Sequence, residues 1–248
     1  MASYDPAQCC TVGVKHEGTP TGEMKMIDNI EAYIAYPKSK QTHTAILLLP
    51  DVIGHAFVNA QLIADQFAAN NYLVVMPDQF RGDALKLNRP ESFDFPSWLA
   101  KHTPDVTGHI IDRVKKYMKE ELGVKKTGCV GYCFGAKGVV RGLAEGGGID
   151  VGYTAHPSFV SADDIKAIKG PLSIAAAETD QIFPEEKRHE TEKILKEIGA
   201  TYQMNLFSGV EHGFAVRGDI RKKEAKYAKE QAFLQAVNFM DFYLGRPE

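Results

Sequence analysis

Gly131-Tyr132-Cys133-Phe134-Gly135 sets a cysteine between two glycines, each two positions away. The residues before it, 126–131, read as a strand. Those after it, 134–143, continue at helical spacing despite glycines at 135, 138 and 142. A nucleophile on a sharp strand-to-helix turn requires this pattern, because small residues on either side let strand and helix pack closely. Such a turn puts Cys133 at a helix N-terminus, whose positive dipole end favours thiolate over thiol. The backbone N–H of Phe134 is then placed to hold the oxygen of an attacked carbonyl. Cys129, inside the strand, reads instead as a buried packing residue.

A thiol nucleophile works with a base, and the base with an orienting acid. His212, in Glu211-His212-Gly213-Phe214, is the candidate base and Asp180 the candidate acid, with Glu178 two residues away as another carboxylate. Their order along the chain (nucleophile, acid, histidine) suits an α/β-hydrolase, and one or two β-α units separate successive members. The second oxyanion donor is expected in Pro50-Asp51-Val52-Ile53-Gly54-His55, as the N–H of Val52. Asp51 beside it either caps the turn or enters the site. His156, in Ala155-His156-Pro157-Ser158-Phe159, either lines the pocket or caps a loop.

Elements that could position these residues are readable as well. Residues 1–25 form an irregular lead-in, and 26–36 reads as one antiparallel edge strand. Continuous apolar runs at 45–49 and 72–76 suit parallel strands buried on both faces. Between them, 59–70 has helical spacing. Residues 79–103 are an excursion with a short helix or two, and 104–122 is an amphipathic helix. Strands are expected at 151–155, 172–177 and 202–207. Helices are expected at 185–198, closed by Gly199, and at 222–244. The alternation implies one α/β domain over 1–248 with a mainly parallel sheet covered on both faces, an α/β-hydrolase fold. Ligands on such sheets sit at the carboxyl ends of the strands, where Asp51, Cys133, Asp180 and His212 fall.

Composition narrows the function classes. The chain has 248 residues, 44% hydrophobic and 25% charged, with a net charge of −3, so no basic stripe points to nucleic acid. No apolar run reaches membrane-spanning length, and the first residues lack the pattern of a signal peptide. Four cysteines without regular spacing indicate a reducing, cytoplasmic setting rather than a disulfide framework. The eight histidines show no metal-binding spacing, so neither a metal nor a cofactor is expected.

The elbow at 131–135, the Asp180 loop and His212-Gly213-Phe214 together resemble the dienelactone hydrolase (carboxymethylenebutenolidase) family. Pro50-Asp51-Val52-Ile53-Gly54 and Pro77-Asp78-Gln79-Phe80 resemble that family's two earlier loops. The likeness runs from about Tyr33 to Leu244. The Cys9-Cys10 lead-in and Pro96-Ser97-Trp98-Leu99 resemble its eukaryotic, especially fungal, branch. Membership implies hydrolysis of a lactone or ester through a thiol acyl-enzyme on Cys133. The bacterial members have glutamate where this chain has Asp51. They also bind a substrate carboxylate with arginines, one of them four residues after the histidine, where Val216 stands here. Arg81 and Arg217 are the nearby candidates for an anionic substrate, and surface ion pairs are their other reading. A small-molecule ester or lactone is the expected partner. The same scaffold also accommodates a thioesterase, a hydrolase releasing a natural product, or a ligand-binding protein without catalysis. Oligomeric state has no signature in the residues.

Overall fold

The computed structural model describes residues 2–90 and 92–247. Among them are eight strands: β1 (Glu23–Ile27), β2 (Ile30–Ala35), β3 (Thr44–Leu49), β4 (Leu73–Pro77), β5 (Lys126–Tyr132), β6 (Val151–Ala155), β7 (Leu172–Thr179) and β8 (Tyr202–Glu211). Eight helices accompany them: α1 (Val58–Ala69), α2 (Phe95–Lys101), α3 (Pro104–Glu120), α4 (Ala136–Gly142), α5 (Ala162–Ala167), α6 (Glu185–Glu197), α7 (Phe214–Arg217) and α8 (Lys223–Leu244). The strands form one sheet in the order β1-β2-β4-β3-β5-β6-β7-β8. β1 and β2 pair antiparallel, β2 meets β4 antiparallel, and every other pair is parallel. This is the α/β-hydrolase architecture.

Alternation along the central strands divides the core. Ala45, Leu47 and Leu49 of β3 pack with α3, α4 and α6 residues such as Val114, Val139 and Leu195. Ile46 and Leu48 point the other way, toward Ile63 and Phe67 of α1 and Ala232 and Met240 of α8. A strand buried on both faces has no polar side to alternate with, which is why 45–49 reads as an unbroken apolar run.

β3 lies between β4 and β5, so the chain leaves it on one side and returns on the other. This reversal opens a crevice beyond the strand ends, the usual ligand position in open α/β sheets. The register pairs Leu49 with Gly131 and brings the loop after β3 beside the turn after β5.

Three readings need correction. The single edge strand at 26–36 is a hairpin, β1 and β2, closed by Asp28 and Asn29, with Asp28 at φ 54°. A short polar side chain tolerates this left-handed backbone, so the turn hides inside an apparently continuous pattern. β8 runs to Glu211, beyond 207, because a register shift at Ala177/Thr179 lets Thr179 pair again with Glu211. The one-turn α7 and the short α5, the latter capped by Ser161, had no periodic signal long enough to read. Gly199 closes α6 at φ 65°, as its position suggested.

The lead-in, read as irregular over 1–25, has a 3-10 turn at Gln8–Thr11 and enters β1 at Glu23, and its described residues are firmly stitched to the body. Ser3 N–H donates to Val160 O at 2.9 Å and Tyr4 N–H to Ile182 O at 2.8 Å. Asn88 N–H donates to Thr11 O at 2.7 Å, and Val14 N–H to Arg217 O at 2.9 Å. The segment forms a strap across the carboxyl ends of the strands.

Candidate active site

Cys133 stands where β5 turns into a 3-10 turn and then α4. Its φ is 50°, a left-handed conformation that a non-glycine residue holds only under constraint from its surroundings. The flanking glycines make the turn possible. A Cβ on Gly135 would sit 2.1 Å from the carbonyl oxygen of Leu49, and one on Gly131 would sit 2.6 Å from Val139 Cγ2. The spacing seen in the sequence is thus a packing requirement.

His212 follows β8 and is buried. Its Nδ1 lies 2.9 Å from each carboxylate oxygen of Asp180. Asp180 follows β7 and also accepts the N–H groups of Ile182 at 2.8 Å and Phe183 at 2.9 Å. Glu178 turns away and accepts Gly209 N–H at 2.8 Å. Of the two carboxylates near this loop, Asp180 holds the histidine.

The strap delivers a residue that the sequence reading left in the lead-in. Cys10 Sγ lies 3.5 Å from His212 Nε2. Cys10 Sγ, Cys133 Sγ and a ring nitrogen of His212 all fall within 4.8 Å of one another, and all three residues are buried. These donors are also of the types a soft metal accepts, although their spacing along the chain announced no metal motif. Ser158 is a second addition: its Oγ lies 3.5 Å from Cys133 Sγ. Neither shows up as chemistry in the sequence, because Cys10 has no motif around it and Ser158 is one hydroxyl in a loop.

Burial works against every charge here. It would push the Cys133 thiol up, but the S–H of Cys10, the charge of His212 and contacts from His156 and His212 hold it well below the usual thiol range. Burial would likewise lower His212, yet Cys133 and Asp180 raise it to about 10. Asp180 is held below its ordinary value, burial being outweighed by His212. Their mutual contacts thus favour the charged forms of Cys133, His212 and Asp180 against the burial that opposes each.

His156 lies at φ 40°, fully buried, with its ring centroid 5.0 Å from that of His212. Neither ring nitrogen has a hydrogen-bond partner among the described residues. Burial lowers it to about 4, with the Cys133 sulfur acting in the opposite direction, so it is neutral at pH 7.

Asp51 and Arg217 face each other. Arg217 Nη1 donates to Asp51 Oδ2 at 2.5 Å, both side chains being almost wholly buried. Arg217 Nε also donates to Val12 O at 2.8 Å and Nη2 to Cys9 O at 3.3 Å. Burial raises the Asp51 carboxyl in spite of Arg217, while Asp51 keeps the guanidinium firmly charged against its own burial. The guanidinium thus clamps the strap to the loop after β3. Asp51 Oδ1 caps that loop by accepting Ile53 N–H at 3.0 Å. Arg81 is exposed, at φ 51°, on the loop after β4.

Val52 and Phe134 belong with Cys133 to a third apolar cluster, at the strand ends, which includes Cys10, Phe80, Trp98 and Ile182. Phe80 stacks edge-on to Phe134 at 5.2 Å and tilts against Trp98 at 5.2 Å. Phe80 and Trp98 come from the 79–103 excursion, Phe134 from the elbow itself, and together they wall Cys133 on one side. A groove of 320 Å³, lined by Val12, Gly13, Glu211, His212 and Asp219 among others, runs beside the histidine.

The model of the dienelactone hydrolase family matches residues 30–244. The chain belongs to that family. Hydrolase tropI of Talaromyces stipitatus is 49% identical over 252 residues, covering 98% of this chain and 99% of its own. Hydrolase pyvD of Aspergillus violaceofuscus is 50% identical over 244 residues with the same coverage. Dienlactone hydrolase 1 of Gibberella moniliformis is 36% identical, covering 96% of this chain and 94% of its own. Among solved structures, a putative dienelactone hydrolase from Klebsiella pneumoniae superposes with a TM-score of 0.71 at 14% identity, over 88% of this chain and 99% of its own. Esterase 2 of Thermogutta terrifontis, phosphorylated by paraoxon, gives 0.67 at 17%, over 92% and 96%. The family match makes this chain a dienelactone hydrolase-like hydrolase, and the structural neighbours share its fold. Cys10 lies upstream of the span that the family model matches, in a segment over which the alignments to the two fungal hydrolases, at 98% of this chain, extend.

Proposed function

We propose that this dienelactone hydrolase-family member cleaves a lactone or activated ester through a thiol acyl-enzyme on Cys133, served by His212 and Asp180. The observation carrying this reading is the buried Cys133 sulfur, held on a left-handed elbow within 4.8 Å of a nitrogen of His212, whose Nδ1 is fixed by the Asp180 carboxylate.

The thiolate attacks the substrate carbonyl, and the N–H groups of Val52 and Phe134 donate hydrogen bonds to the developing oxyanion. His212, charged at rest, protonates the departing alkoxide or enolate, and then withdraws a proton from the water that releases the acid. Asp180 keeps the Nδ1 proton in place and stabilises the imidazolium. Thiolate is itself a good leaving group, so the tetrahedral intermediate collapses forward only if the oxygen leaves easily. Enol esters and lactones meet that condition, and amides do not. The aromatic wall of Phe80, Trp98 and Phe134 suits an apolar acyl portion. His156, neutral and with unpartnered nitrogens, is available to a polar substrate group. Arg217 holds Asp51 and the strap, which leaves Arg81 as the more accessible cation for an anionic substrate. Four free thiols suit a reducing, cytoplasmic setting.

The test is hydrolysis of an aryl ester and an enol lactone by wild type and Cys133→Ala, with mass spectrometry of the quenched enzyme. The wild type should show an acyl adduct on the peptide carrying Cys133. The variant should lose at least about 10³-fold in kcat/KM. Equal rates in the two proteins would remove Cys133 from the chemistry. A thioester cleaved faster than either oxygen ester, with the same adduct, would favour a thioesterase on this triad.

A further inference from the structure

Cys10 has no task in the mechanism above, yet the fold carries it to the nucleophile. Its sulfur shares a space 4.8 Å across with Cys133 Sγ and a nitrogen of His212, sealed by Val52, Phe134 and Ile182. It arrives on a 3-10 turn of the strap, whereas Cys133 sits on a rigid elbow. We propose that Cys10 is a resolving thiol for Cys133: mild oxidation by a hydroperoxide joins their two sulfurs in a disulfide that reversibly silences the site.

The geometry suits such a bond. A disulfide brings two sulfurs to about 2.05 Å, so closing the gap needs a shift of at most a few ångströms. Cys10 lies on a 3-10 turn outside the sheet, so closing the gap moves no strand. Cys129 is excluded by its place inside β5. Cys9 is half-buried and outside the three-residue cluster, with its carbonyl held by Arg217.

The steps balance. The Cys133 thiolate attacks one oxygen of hydrogen peroxide and becomes a sulfenic acid as the O–O bond breaks, and the other oxygen leaves as hydroxide, which takes the proton of the His212 imidazolium to give water. Neutral His212 then removes the proton from Cys10, whose sulfur lies 3.5 Å from Nε2. The Cys10 thiolate attacks the Cys133 sulfur and expels hydroxide, and His212 returns its proton to form a second water. Two thiols and one peroxide yield one disulfide and two waters. Peroxide is reduced by the two electrons that the sulfurs lose. An external dithiol restores both thiols by exchange.

The inference rests on the reactive Cys133 thiolate of the proposed function, though not on any acyl substrate. Its test therefore reads the sulfurs directly. The full chain is titrated with hydrogen peroxide up to a few equivalents, free thiols are counted, and non-reduced peptides are mapped by mass spectrometry, with ester hydrolysis assayed in parallel. Wild type should lose two of its four thiols and yield one crosslinked peptide pair joining Cys10 to Cys133. Dithiothreitol should restore thiols and hydrolysis together. Cys10→Ser should give no such pair, and its Cys133 should advance to the sulfinic acid, which dithiothreitol does not reverse. Cys9→Ser should keep the pair. A Cys10–Cys133 pair in a chain that hydrolyses nothing supports this inference while sinking the hydrolase reading. Wild type whose Cys133 oxidises to sulfinic acid with Cys10 still free, bonds to Cys9 instead, or keeps its thiol throughout the titration overturns the inference.

Discussion

The rings of His156 and His212 are centred 5.0 Å apart, yet one is lowered to about 4 and the other raised to about 10. Burial acts on both in the same direction. What separates them is company: His212 has the Asp180 carboxylate as well as the Cys133 sulfur, whereas His156 has the sulfur without a carboxylate and the charges of His212 and Arg217 against it. The charged histidine should therefore respond to its anion. In Cys133→Ser the thiolate is gone, and the His212 titration midpoint followed by NMR should fall clearly below the wild-type value of about 10. An unchanged midpoint would mean that Asp180 alone sets it. In wild type the alkaline limb of kcat/KM should fall near pH 10, where the leaving-group acid is lost. The linkage sign is that of a raised base. His212 contributes stability fully below its unfolded value near 6.5, and the contribution disappears as pH climbs through about 10. At this scale much of the site was legible. Cys133, Asp180 and His212 stand in motifs with fixed neighbours, and the fold gathers them. Cys10 and Ser158 were not legible, because proximity across 202 residues of chain (Cys10 to His212) or 25 (Ser158 to Cys133) leaves no local pattern.

At the scale of elements, the turn between β5 and α4 carries the most constraint. Gly135 has no room for a methyl group against the Leu49 carbonyl, a backbone atom that cannot rotate away. Gly135→Ala should lose about 1–3 kcal/mol or more through overpacking, and should lower hydrolysis beyond that by moving Cys133 and Phe134. Gly108→Ala offers the contrast. It lies in the middle of α3 with nothing within 4 Å of its virtual Cβ, and should gain roughly 0.5–1 kcal/mol. Thermal unfolding of the two variants side by side checks both signs, and a neutral Gly135→Ala would mean that the elbow can yield. Elements were legible where the pattern was long: β3 and β4 as apolar runs, α3 by its apolar stripe, α6 by its closing glycine. They were illegible where a single residue redirects the chain, as Asp28 does between β1 and β2.

For the whole molecule, the Asp51–Arg217 pair joins three distant parts of the chain: the loop after β3, the helix α7 and the strap. Removing one partner of a buried ion pair strands the other. Asp51→Ala should cost about 3–5 kcal/mol, a fall in Tm on the order of 10 °C for a chain of this size. The strap should also loosen, which limited proteolysis near Val12 would report. A Tm within about 2 °C of wild type would show that Arg217 finds water or another acceptor at little cost. The sequence pointed to Asp51 as a turn cap or site residue and to Arg217 as a substrate contact or surface ion pair, and not to the two together. Their mutual engagement depends on the lead-in folding back over the strand ends, and nothing in its composition indicates that.

The strap leaves Cys133 and Cys10 with no exposed surface. Any molecule that reacts with the sulfur must therefore wait for, or select, a form of the protein in which that cover has lifted. Apparent affinity is then the intrinsic affinity multiplied by the open fraction, and each tenfold scarcity of the open form removes about 1.4 kcal/mol. Two substrates with identical contacts in the pocket would still differ in KM if one also touches the lifted strap and holds it open. Selectivity would then depend partly on how readily the packing over Cys133 opens, and not only on contacts at the bond being broken.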